Sequence, residues 1–127
     1  MSIRTHTAAF EDRPMYPSGV WRGYWEQPLF GRQPMTDFNL RFADGRVEGE
    51  GRDVVGRFTV HGTSDDQGAV VLVKQYLGKH RVLYRGRYDG EGVIHGLWSI
   101  GEHWSGPFAL TPARGPAGPA SGIQTIS

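Results

Sequence analysis

Asp53 and His80 are the residues of this sequence best suited to proton chemistry, a carboxylate and an imidazole on neighbouring connections at one end of a strand-rich chain. In such a dyad the carboxylate orients the ring and raises its pKa, which suits proton transfer, isomerisation or cyclisation. Plainer roles exist for both: an Asp beside the Arg52 to Gly56 turn bonds local amides readily, and a histidine opening a strand is often satisfied by a backbone carbonyl. The same sequence phase brings Gln27 and Gln75 to the rim beside them, with Trp25, Tyr84, Trp98 and Trp104 just beneath. An aromatic-walled cup with a few convergent polar groups is the general form of a small-molecule site.

Other chemistries lack their residues. The chain has no cysteine, so it offers no disulfide, thiolate ligand or thiol nucleophile. His61, His80, His95 and His103 lack the close pairing of a metal motif. No glycine run leads into the Lys-Ser/Thr pair of a phosphate loop, and Ser105 before Gly106 is not part of a Gly-x-Ser-x-Gly elbow. Neither a metal nor a cofactor is therefore expected. With 14 basic and 13 acidic residues the formal charge is +1, and no RNP-like aromatic motif is present, so nucleic acid is not an expected partner. No apolar run approaches the roughly 20 residues of a membrane span. The N-terminus lacks the charged-then-apolar order of a secretory signal, and the expected location is cytoplasmic.

The elements that must position these residues are strands. Alternation of apolar and polar residues with period two runs through Val20 to Gln27, Pro34 to Phe42, Arg46 to Arg52, Gly56 to Gly62, Ala69 to Tyr76, His80 to Tyr88, Val93 to Ile100 and Trp104 to Leu110. Asp44-Gly45, Ser64 to Gly68 and Asp89 to Gly92 supply turn chemistry between them. Eight strands joined in this way leave two raw edges unless the first pairs with the last. The expected fold is all-β, an eight-stranded antiparallel up-and-down meander barrel, with an open sandwich as the alternative. The domain spans 18–111, preceded by an N-terminal arm (1–17) and followed by a flexible tail rich in Pro, Gly and Ala (112–127). Phe10, Met15 and Tyr16 give the arm apolar groups to pack on the barrel or on a neighbouring subunit.

Inward-facing residues are expected to include Trp21, Phe38, Leu40, Phe42, Val47, Phe58, Val60, Val71, Val73, Val82 and Tyr84. The opposite phase of strands five to seven is also apolar: Val70, Leu72, Tyr76, Leu83, Val93 and Leu97. Apolar residues on both faces imply a sheet covered twice, here by a homo-oligomer interface rimmed by Lys74, Arg81, Arg85 and Arg87.

The segments W-x-G-x-W at Trp21 to Trp25 and G-x-W at Gly96 to Trp98, set among eight short meander strands, resemble the calycin-type barrels, the avidin-like barrel among them. That resemblance implies a ligand cup at one open end and a tendency to oligomerise. Biotin binding is not implied, because the Asn, Ser and Ser-x-Tyr positions of avidins have no counterparts around Gln27, Phe30 or Gln33. The expected function is binding of a small molecule at the end bearing Asp53 and His80. Two alternatives stand beside it: a barrel enzyme of isomerase or cyclase type using that pair, and an oligomeric interaction module with a plugged barrel.

Overall fold

A computed structural model describes residues 16–113. The strands are β1 (Gly19–Gln27), β2 (Gly31–Ala43), β3 (Arg46–Arg52), β4 (Arg57–Ser64), β5 (Ala69–Tyr76), β6 (Arg81–Tyr88), β7 (Ile94–Ile100) and β8 (Trp104–Pro112). Each pairs antiparallel with the next, and β8 returns to β1 from Trp21 opposite Pro112 to Trp25 opposite Phe108. The sheet closes into an eight-stranded antiparallel meander barrel, and closure leaves no edge exposed. No helix occurs among the described residues.

Local sequence accounts for the connections. Asp44 and Gly45 both take positive φ (50° and 78°) in the two-residue turn between β2 and β3, the conformation that matches strand twist and that Asp-Gly favours. In β2 the register slips between Thr36 and Asn39 around Asp37, whose φ is 48°. This bulge changes the inward phase, so Met35 and Phe38 both face the core although they lie three positions apart.

One barrel end is filled. Tyr16, just before β1, is buried against Phe42, Tyr88 and Trp21 with ring centroids 4.9, 5.2 and 6.3 Å away. The Trp21 indole donates to the Pro17 carbonyl at 2.9 Å, which holds the incoming chain over this end. Burying side chains of this size contributes about 1.5–3 kcal/mol each. Phe38, Leu40, Leu110 and Phe108 fill the middle of the barrel. The arm and tail expected at 1–17 and 112–127 lie largely outside the described residues, as do Phe10 and Met15.

The inward phase of β5 is opposite to the one expected. Val70, Leu72, Lys74 and Tyr76 are buried in the barrel, while Val71, Val73 and Gln75 alternate with them on the outer face. A slip of one residue exchanges every side chain of a strand between faces. Val70, Leu72 and Tyr76 are the bulkier set, and Lys74 made that set look solvent-facing because its buried partner, Asp53, is distant in sequence. Val70, Leu72 and Tyr76 are thus core residues and cannot form an outer interface, nor can Lys74 rim one. Of the remaining residues assigned there, Leu97 is exposed and Leu83 and Val93 are half-buried.

Candidate functional site

The connections β1–β2, β3–β4, β5–β6 and β7–β8 gather at the end opposite Tyr16, and there the interior is open. A cavity of about 200 Å³ is walled by Trp25, Trp98, Trp104, Tyr76 and Tyr84, with Val82 and Ile100 between the rings. Trp25 meets Trp98 edge to face, with centroids 6.1 Å apart. Trp98 is held by a hydrogen bond from its Nε1 to the Glu26 carbonyl at 2.9 Å. Gly106 makes that seat possible, since a Cβ there would overlap both the Glu26 carbonyl and the Trp98 indole nitrogen. Trp104 lines the mouth and remains 56% exposed.

Beneath the cup lies a buried polar hub. The Asp53 side chain points from the β3–β4 connection into the barrel and is fully buried, as is Lys74, with Oδ2 2.6 Å from Lys74 Nζ. The same oxygen accepts from Tyr76 Oη at 2.7 Å and Trp25 Nε1 at 3.0 Å. Oδ1 accepts from the Val55 amide at 2.9 Å, so Asp53 also caps its own turn. The Lys74 ammonium donates onward to Tyr84 Oη at 3.1 Å and to Met35 Sδ at 3.6 Å, and it sits 4.3 Å from the Phe58 ring centroid.

Electrostatics follow from that packing. Burial pushes the Lys74 ammonium down to about 8, although adjacent Asp53 favours its charge. Burial alone would raise the Asp53 carboxyl; the Lys74 charge and the hydrogen bonds from Lys74, Tyr76 and Val55 outweigh it and hold it below the ordinary value. Tyr76 and Tyr84 are raised, first by burial and then by the Asp53 carboxylate.

The residues singled out from sequence are distributed unevenly over this end. Trp25, Gln27, His80, Tyr84, Trp98 and Trp104 line the cup. Asp53 is not part of the lining and is bonded to three residues that are, Tyr76, Trp25 and Val55. Gln75 faces away, its Nε2 bracing the β5–β6 turn through the Tyr76 and Lys79 carbonyls, both at 2.8 Å. His80 is exposed at the mouth with its ring 5.1 Å from that of Tyr76. Tyr76 stands between Asp53 and His80 in contacts, and the carboxylate oxygens bond other groups, so the two do not form the dyad of the alternative enzyme reading. Gln27 has its Oε1 committed to the Leu29 and Phe30 amides at 2.8 and 3.0 Å.

Lys74 and Tyr76 are the residues of the candidate site that sequence reasoning placed elsewhere. Their signal was present: a lysine inside V-V-L-V-K-Q-Y, in phase with Val70, Leu72 and Tyr76, requires a buried acid. Leu29, Phe30, Val54 and Leu77, from three of these connections, and Trp104, at the start of β8, add an exposed apolar collar around the mouth. No family model, curated protein or solved structure matches this chain.

Proposed function

We propose that the protein binds a small, largely apolar molecule in the cup, as the avidin-like resemblance also suggests. The observation that carries this reading is the contrast between the two barrel ends: one is filled by Tyr16, Trp21, Phe42 and Tyr88, and the other holds an aromatic-walled cavity of about 200 Å³. An apolar cavity of ~150 Å³ accommodates benzene, so the volume here suits a compound of one or two rings. The hub below makes the walls rigid, since Trp25, Tyr76 and Tyr84 are each tied to Asp53 or Lys74. A preorganised wall loses little entropy on binding. The apolar collar supports a ligand that projects beyond the mouth, because exposed apolar surface rimmed by polar residues marks contact regions.

Titration of neutral one- and two-ring compounds, followed through tryptophan fluorescence, tests the reading. Saturable quenching is expected for the compounds that fit. Val82→Phe fills the cup from a buried lining position and is expected to weaken such binding at least about tenfold, the equivalent of 1.4 kcal/mol. Linear, unsaturable quenching across the set, or equal affinity in the Val82→Phe variant, would refute binding in the cup.

A further inference from the structure

Which ligand the cup accepts depends on the polar valences its walls leave open. All three protons of the Lys74 ammonium are engaged, by Asp53, Tyr84 and Met35. The Tyr76 hydroxyl and the Trp25 indole donate to Asp53, and the Trp98 indole donates to Glu26. Gln27 spends its carbonyl oxygen on two loop amides. Tyr84 differs from these groups: its oxygen accepts from Lys74, and its own proton has no acceptor among the described residues. The side chain is 4% exposed and lines the cup from below, and the hydroxyl is a strengthened donor because an ammonium polarises its oxygen. The amide nitrogen of Gln27 is a second donor on the lining without an acceptor among the described residues.

The deep wall therefore offers two open donors, the Tyr84 hydroxyl and the Gln27 amide nitrogen. The carboxylate and amide oxygens there are already bonded, so open acceptor capacity is confined to the hydroxyl oxygens of Tyr76 and Tyr84, whereas a ligand oxygen that only accepts can meet either open donor. No lysine or arginine lines the cup, and the Lys74–Asp53 pair beneath it carries no net charge. An anion would lose its hydration with no cation to meet it. We propose that the cup selects a neutral ring compound bearing a carbonyl oxygen, which accepts the hydrogen bond from the Tyr84 hydroxyl.

This inference rests on the cup being a small-molecule site, and a matched pair of probes separates the two. Acetophenone and ethylbenzene share ring and chain and differ by the carbonyl oxygen. In the native protein acetophenone is expected to bind about tenfold more tightly, the effect of one hydrogen bond to a polarised donor. Tyr84→Phe should abolish that preference, so that the variant binds acetophenone and ethylbenzene with equal affinity. Saturable binding of both probes with equal affinity in the native protein would overturn the carbonyl selection while leaving the cup as a binding site. Binding of neither would remove the cup reading and this inference with it. The native comparison decides the matter even if Tyr84→Phe does not fold.

Discussion

Asp53→Ala is expected to destabilise the barrel by about 5 kcal/mol and Lys74→Met by about 3 kcal/mol, although each removes one charge from the same buried pair; breaking such a pair typically costs 3–5 kcal/mol. The asymmetry comes from the hydrogen bonds. Loss of the Asp53 carboxylate leaves Lys74 without its counter-charge and at once deprives the Tyr76 hydroxyl, the Trp25 indole and the Val55 amide of their acceptor. Loss of the Lys74 ammonium leaves the carboxylate with those three donors, and a methionine of similar length places its thioether among the Phe58 and Tyr76 rings that now face the ammonium. Urea denaturation at neutral pH, followed by tryptophan fluorescence, measures both. Equal costs, or a larger cost for Lys74→Met, would show that the charge pair and not the hydrogen-bonding hub at Asp53 dominates.

The fold was legible because its information is local. Period-two alternation and Asp-Gly turns located every strand, and the bounds Arg46–Arg52 and Ala69–Tyr76 were readable from the sequence alone. Barrel closure followed from the need to satisfy two edges. The site was less legible because its decisive contact is not local. Asp53 and Lys74 are 21 residues apart, and each alone has an ordinary reading, as a turn cap and as a surface charge. Only their pairing makes burial of Lys74 tolerable, and only burial of Lys74 reveals that Val70, Leu72 and Tyr76 face inward. The tryptophans of the cup were found since bulk and phase coincide at Trp25 and Trp98; at β5 bulk and charge conflicted, and the charge misled.

Stability is expected to rise with pH from about 8 to about 10 and to fall above that, an alkaline maximum that few proteins show. The native Lys74 releases its proton near 8, whereas in the unfolded chain it holds the proton to about 10.5. Between those values the unfolded state binds more protons, so raising the pH favours folding. At one unit per 1.36 kcal/mol, a two-unit window corresponds to roughly 2–3 kcal/mol. Above 10 the sign reverses, because Tyr16, Tyr76 and Tyr84 keep their protons in the native state while their unfolded counterparts ionise. On the acid side Asp53 contributes fully above the ordinary carboxylate value of 3.8, and that contribution is lost as the pH falls through its lower native value. Urea midpoints measured from pH 7 to 11 should trace the climb and the decline, and Lys74→Met should remove the climb and leave the decline. Stability that is flat or falling from pH 8 to 10 in the native protein would show that Lys74 stays charged there, and hence that attraction to Asp53 outweighs the cost of burying the ammonium.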